Sequence, residues 1–208
     1  MSSELVTVYF DYLCPFSWRV AELLDMVSVP LNLQCEWKHF SLYQSNSKDN
    51  SWQIWNEKIE DDSQNGSKGL LPFLASHAAK RQGETKFHAF RLALLRACHR
   101  DHLPFNKDTI WHVAEQVGLH MPTFASDLND PECRTALAHE HMQAATLDVF
   151  GTPTLRFQEE HSEHIAYLRI REIPLHLEEA VELFQTYQKL LCRYPYLETI
   201  RRPRPRNN

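Results

Sequence analysis

The sequence predicts an α/β fold in which an early β-α-β unit and a late β-β-α unit share one sheet, interrupted by an all-helical block. Three observations predict it. Apolar residues alternate over Leu5 to Phe10, take helical spacing after Pro15, and alternate again over Leu31 to Trp37. From Leu70 to Leu147 the spacing stays helical. After Gly151 it returns to short strand-like runs, and a last amphipathic stretch closes the chain.

Each element has a local reason. Leu5 to Phe10 holds Val6, Val8, Tyr9 and Phe10, residues that fit a pleated surface. Asp11 to Pro15 turns the chain, and Pro15 suits a first helical turn because its missing N–H is not needed there. The helix that follows carries Trp18, Leu23, Leu24 and Val27 as apolar positions, with Arg19, Glu22 and Asp25 polar. Pro30 marks the next turn. Leu31 to Trp37 then reads as a second strand, and a connecting helix of this length most simply makes a parallel, right-handed crossover. Residues 44–69 are rich in Asn, Ser, Asp and Gly, predicting a long surface loop with at most a short helix around Trp52 to Ile59.

Helices are expected over Thr85 to Arg100, Lys107 to Val117 and Glu132 to Leu147, the last started by Asn129-Asp130-Pro131. Gly118, Pro122 and Gly151 mark breaks. Thr154 to Phe157 and Ile165 to Ile170 read as strands around a polar turn at Glu159 to Glu163. Leu175 to Cys192 reads as a helix burying Leu177, Ala180, Val181, Phe184, Tyr187 and Leu191.

Composition narrows the function. The chain has 208 residues and 43% apolar content, enough for one sizeable core. A net charge of −5 gives no overall attraction for nucleic acid. Leu5 to Phe10 is far too short to span a bilayer, and no secretory pattern precedes it, so no membrane association is expected. Five widely spaced cysteines, an odd number, fit a reducing, cytoplasmic setting. Arg201, Arg202, Arg204 and Arg206 make a basic, proline-broken tail, read over 196–208 as a flexible, solvated terminus.

The chemistry-bearing residues gather at the first strand–helix junction. Cys14-Pro15-Phe16-Ser17 places a thiol where unpaired backbone N–H groups and the positive helix end favour a thiolate, the nucleophilic form. The alternative is an ordinary buried cysteine in an apolar turn. Ser17, three residues on, can donate a hydrogen bond to sulfur but cannot form a disulfide with it. Gly151-Thr152-Pro153-Thr154 precedes a strand, where a cis Thr152-Pro153 bond and a trans turn both remain open.

Asp11 is a candidate local cap or proton-transfer group, and His39 a candidate base at a strand end. Cys35, Cys98, Cys133 and Cys192 read as core, with a resolving role for Cys98 the sharper alternative. His139/His141 and His99/His102 lack the spacing and partners of a metal site, so none is expected. Trp52, Trp55, Phe73, Trp111 and Phe124 read as core, one or two being candidates to line a groove above Cys14.

FDYLCPFSW at the first strand end, a long helical insertion, and GTPTLRF before the last hairpin together resemble the DsbA-like branch of the thioredoxin superfamily, in particular its FrnE-like members. Kappa-class glutathione transferases and 2-hydroxychromene-2-carboxylate isomerases look similar in layout. The resemblance covers roughly residues 5 to 193. It implies a discontinuous thioredoxin-like domain over 1–43 and 149–195, with a mainly helical insertion over 44–148. Cys14 then resembles the nucleophilic cysteine, with Pro15 and Phe16 as its dipeptide, and Thr152 with a cis Pro153 as the loop that faces the sulfur and pairs with an extended thiol substrate. Ser17 departs from the two-thiol pattern by standing at the resolving position.

That departure implies a monothiol oxidoreductase with no tightly bound cofactor and with glutathione or another low-molecular-weight thiol as co-substrate. A glutathione transferase or isomerase, in which the thiolate belongs to bound glutathione, is the second reading. A thioredoxin-fold binding module without catalysis is the third. The resemblance also raises a homodimer.

Overall fold

The computed structural model describes residues 4–60, 64–158 and 162–200. The four tail arginines and part of the turn expected at 159–163 lie outside the described residues. β1 (Glu4–Phe10) runs parallel to β2 (Leu33–His39) and antiparallel to β3 (Thr154–Gln158), which pairs antiparallel with β4 (Glu163–Tyr167). The strand order is β2-β1-β3-β4. β1 is therefore an interior strand, and it is buried on both faces. Val6, Val8 and Phe10 join the main core, whereas Tyr9 joins Phe40, Ala144 and Val149 in a smaller cluster on the other side.

α1 (Pro15–Val27) connects β1 to β2 and starts with Pro15 in its first turn. β2 begins two residues later than the alternation predicts. The reason is local: Leu31 N–H still bonds back to Val27, Asn32 takes a left-handed φ of 51°, and Leu33 N–H returns to Ser28. Leu31 thus belongs to the turn that closes α1 rather than to the sheet.

Between β2 and β3 lie α2 (Leu42–Ser45), α3 (Leu70–Arg81), α4 (Glu84–His99), α5 (Lys107–Gln116), α6 (Met121–Leu128) and α7 (Pro131–Thr146). Asp130 caps α7 by accepting from Glu132 N–H, as its sequence context predicts. α2 has no counterpart in the sequence reading. It exists because Ser41 caps it, accepting from Gln44 N–H at 3.2 Å. The polar loop is also less free than expected: a 3-10 turn at Ile54–Asn56 buries Ile54 and Trp55, and Arg134 of α7 donates to the Trp55 and Glu57 carbonyls.

α8 (Leu177–Arg193) packs on α1 and β4. Of its expected buried stripe only Ala180 and Phe184 are covered; Val181, Tyr187 and Leu191 are half-buried, and Leu177 is 45% exposed. α8 lies outermost, so only positions facing α1 and the sheet together lose water. β4 ends at Tyr167, short of Ile170, because its partner β3 begins at Thr154, the residue opposite Tyr167. One large apolar cluster runs from β1 and α1 through α3, α4, α5 and α7, so sheet and helices are stabilised by the same burial. Among the described residues no helix is long and apolar enough to cross a membrane.

The small cluster contains a pH-sensitive contact. His141 stacks on Phe40 with ring centres 4.6 Å apart, and its Nδ1 accepts the Ser41 N–H at 3.2 Å, so the folded ring is neutral. Burial pushes His141 down from the usual histidine value to about 4. An unfolded histidine titrates near 6.5. The unfolded chain therefore binds the extra proton first as pH falls, and this stabilisation, complete above pH ~6.5, is lost toward pH ~4. His141→Gln, whose amide oxygen accepts without titrating, is expected to flatten the dependence by roughly 1–2 kcal/mol between pH ~7.5 and ~4.5. Urea unfolding of both proteins at the two pH values checks this; parallel losses would refute it.

Candidate active site

The site is built where β1 leaves the sheet. Cys14 N–H bonds to the Asp11 carbonyl at 3.1 Å, closing a tight turn. The Asp11 carboxyl sits inside it: Oδ1 accepts from Leu13 N–H at 2.8 Å and Oδ2 from Leu42 N–H at 2.7 Å. Asp11 thus acts as a local cap and also ties the turn to α2. Burial pushes its acid up to about 6, against the lowering effect of those two bonds.

Tyr12 is pinned from the helices. Its carbonyl accepts from His99 Nε2 at 2.7 Å, and its hydroxyl donates to Ser76 Oγ at 2.8 Å. Gly69, at a positive φ of 90°, lets the start of α3 come close: a Cβ there would stand 3.3 Å from Leu13 Cδ1.

Cys14 is the N-cap of α1 in extended conformation. Its sulfur donates to the Thr152 carbonyl at 3.2 Å, joining residues 138 positions apart. The Thr152–Pro153 peptide is cis. The Thr152 hydroxyl is buried and has no hydrogen-bond partner among the described residues. Cys14 is only 6% exposed, because the chain before β3 lies against it.

Cys14 nevertheless lines a cleft of about 370 Å³. Leu13, Cys14, Pro15 and Phe16 form one wall, Phe150, Gly151 and Thr152 another, and Leu42, Tyr167 and Arg169 complete it. Pro153 is buried behind Thr152, its carbonyl accepting from Leu168 N–H.

Ser17 is fully buried, and its hydroxyl accepts from Asp11 N–H at 3.4 Å. No hydrogen bond joins it to the Cys14 sulfur among the described residues. In this geometry Ser17 braces the turn instead of solvating the sulfur.

His39 does not line the cleft. It is buried, with Nδ1 2.6 Å from Glu140 Oε2 and Nε2 sharing a hydrogen bond with Ser76 Oγ at 2.8 Å. The route from Glu140 through His39 and Ser76 to Tyr12 makes it a support behind the turn. His77, His39 and Glu140 bring potential ligand atoms within 4.8 Å of one another, a grouping invisible to spacing because the three come from different elements. Its geometry is that of a hydrogen bond: ligands on a tetrahedral zinc with bonds of ~2.0 Å stand roughly 3.3 Å apart, and the His39–Glu140 contact is shorter.

The other cysteines lie outside the cleft lining. Cys98 is buried near the Pro104 carbonyl, and burial pushes its thiol up to about 12. Cys133 is buried, Cys35 half-buried beside Ser28 Oγ, and Cys192 half-buried on α8. The insertion aromatics are also absent from it: Trp55, Phe73 and Phe124 are core, Trp111 packs on Phe124, and the Trp52 indole donates to Glu57. The walls instead use Leu42, Phe150, Tyr167 and Arg169, none of them singled out by sequence. Arg169 was within reach of pattern reading, since Leu168 and Ile170 are buried on either side of it. Phe150 was not; only its 71% exposure marks it.

Asp11→Ala leaves two backbone N–H groups without their acceptors and is expected to cost about 2–4 kcal/mol of stability. Asp11→Asn, which retains one acceptor oxygen, is expected to lose less. Chemical denaturation of the two variants measures this, and equal, near-zero effects would show that the carboxyl does not hold the turn.

A family profile described as "DSBA-like thioredoxin domain" matches residues 5–166. A search of curated proteins returned no match. Among solved structures, a thioredoxin-like oxidoreductase from Silicibacter pomeroyi DSS-3 is 21% identical, covering 88% of this chain and 86% of that one, with a TM-score of 0.55. A 2-hydroxychromene-2-carboxylate isomerase is 15% identical over 92% and 98%, with a TM-score of 0.63. The cytosolic disulfide reductase DsbM from Pseudomonas aeruginosa is 14% identical over 89% and 99%, with a TM-score of 0.61, and has also been solved with GSH. These likenesses carry the fold, and the profile spans well over half of the sequence, so the chain belongs to the DSBA-like thioredoxin domain family.

Proposed function

We propose that this protein is a one-cysteine thiol–disulfide oxidoreductase acting through Cys14. The observation that supports it is Cys14, a residue lining the cleft, with its sulfur 3.2 Å from the Thr152 carbonyl and a serine at the fourth position of the motif. A sulfur beside the backbone of a cleft-lining residue, Thr152, can meet an extended partner. The buried, unpartnered Thr152 hydroxyl is a polar group that such a partner would satisfy.

The chemistry balances without a cofactor. Cys14 as thiolate attacks one sulfur of a disulfide R–S–S–R′; the Cys14–S–S–R bond forms as the S–S bond of the substrate breaks, and R′–S⁻ leaves and takes up a proton. A low-molecular-weight thiol such as glutathione, as thiolate, then attacks the mixed disulfide. It departs as a disulfide with R and returns Cys14. Ser17 has no thiol with which to perform that second step, and Cys98 is outside the cleft lining, so the resolving thiol comes from solution.

The apolar walls from Leu13, Phe16, Leu42 and Phe150 favour a second reading, in which glutathione bound in the cleft is conjugated or assists an isomerisation while Cys14 only stabilises it. Cys14→Ala separates the two: retained conjugation or isomerisation would support this reading over the first.

Cys14→Ser is expected to lower reduction of hydroxyethyl disulfide by glutathione to the uncatalysed rate, and turnover equal to the unmodified enzyme would refute the proposal. With oxidised glutathione, the unmodified chain is expected to hold one adduct on Cys14. Ser17→Cys is expected to expel that adduct by closing an intramolecular disulfide to Cys14, as whole-protein mass spectrometry would show; an adduct of equal lifetime in both proteins would mean that position 17 does not govern resolution.

A further inference from the structure

Arg169 is the lone side chain of fixed charge among the residues lining the Cys14 cleft, and it is positive although the chain as a whole carries −5. Its guanidinium carbon stands 3.7 Å from the centre of the Phe16 ring and 5.9 Å from that of Tyr167. Arg19, in the second turn of α1, places its own guanidinium carbon 5.1 Å from the same Phe16 ring. Neither arginine has a carboxylate partner among the described residues. Arg81, Arg96, Arg100 and Arg156 each do. The first turn of α1 contains no acidic residue to offset the positive end of the helix.

Two guanidinium groups gathered on one ring repel each other, and the ring face compensates only in part. Arg169 lines the cleft and is exposed, Arg19 reaches the same Phe16 ring without lining the cleft, and each guanidinium offers a planar set of N–H donors that matches a carboxylate. The missing partner is therefore an anion that arrives with the ligand. We propose that Arg169 and Arg19, held on Phe16, form an anion-recognising rim that selects thiols and disulfides bearing a carboxylate near the reacting sulfur. This rests on the thiol-exchange reading of Cys14 and names the chemical class of its co-substrate: acidic peptide thiols are favoured and cationic aminothiols disfavoured.

The test uses the full reduced chain and three symmetrical disulfides of different charge: oxidised glutathione (anionic), hydroxyethyl disulfide (neutral) and cystamine (cationic). In each case the Cys14 thiolate forms a mixed disulfide with one half and expels the other as a thiolate. The rate is read by quenched mass spectrometry with peptide mapping, which separates Cys14 from the other four cysteines. Reaction is expected to be fastest with the anionic probe and slowest with the cationic one, spanning about tenfold or more at low ionic strength and contracting in high salt.

The double variant Arg19→Gln/Arg169→Gln is expected to lower the anionic-to-neutral rate ratio about tenfold, whereas Arg169→Lys, which keeps the charge but not the planar fork, is expected to keep only part of it. Using the ratio cancels any general change in Cys14 reactivity. A ratio unaffected by the double variant, or by salt, would overturn the rim and leave thiol exchange standing. A Cys14 that reacts with none of the three disulfides would overturn the thiol-exchange reading, and the rim with it.

Discussion

The pairing of β1 with β3 is the constraint on which the site depends. Their register sets Tyr9 opposite Thr154, so the chain leaving β1 and the chain entering β3 emerge at the same end of the sheet. Two residues beyond Tyr9 comes Asp11, and the turn it caps delivers Cys14. Two residues before Thr154 comes Thr152. The meeting of the Cys14 sulfur with the Thr152 carbonyl is thus fixed by antiparallel hydrogen bonding between segments that the sequence separates by more than a hundred positions. A register slip would move the side chains of β3 to the wrong face as well as separate the two loops, so core burial and site geometry enforce each other.

A strand end does not by itself hold a turn rigid, and the inserted helices supply what the sheet lacks. Asp11 fastens the turn to α2, Tyr12 is held by His99 from α4 and Ser76 from α3, and Ser76 leads through His39 to Glu140 on α7. Asp11, Tyr12, Ser76, His39 and Glu140 are buried, where an unpaired donor or acceptor is costly, so each satisfied bond specifies one position of the turn. The insertion lends no residue from α3 through α7 to the cleft walls. Its contribution to the site is support, made from behind.

This division explains what the sequence disclosed. Local signals were sufficient for β1, the Pro15 start of α1, the Asp130 cap of α7 and the break at Gly151, because each is decided by a few neighbouring residues. Cys14 was legible for the same reason: its motif lies at a strand–helix junction that periodicity alone locates. The contacts made at a distance were not legible. His39 was placed near the chemistry by its position at a strand end, but the partners that turn it into a buried support, Ser76 and Glu140, stand 37 and 101 positions away. Ser17 was aimed at the sulfur because helical spacing puts it on the same face; the backbone N–H of Asp11, returning under the helix start, claims its hydroxyl instead. Exposure also resists reading from pattern, which is why Leu177 was assigned to the core and Phe150 passed unnoticed.

The serine at position 17 bears on the shape of the site as a whole. In a two-thiol arrangement the second sulfur sits under the first, and the reaction can finish without admitting another molecule. On the one-cysteine reading every cycle needs two successive visitors to the same sulfur, first a disulfide and then a thiol, and the cleft has to receive both. An apolar floor with a single backbone carbonyl gives little basis for choosing between such visitors, since a hydrophobic wall discriminates weakly among ligands of similar size. Selection must then come from the groups at the mouth, where charge acts before the sulfurs meet and without crowding the line of attack. The side chains available there are Phe16, Phe150, Tyr167 and Arg169, and among them only the arginine carries a charge with which to tell one small thiol from another.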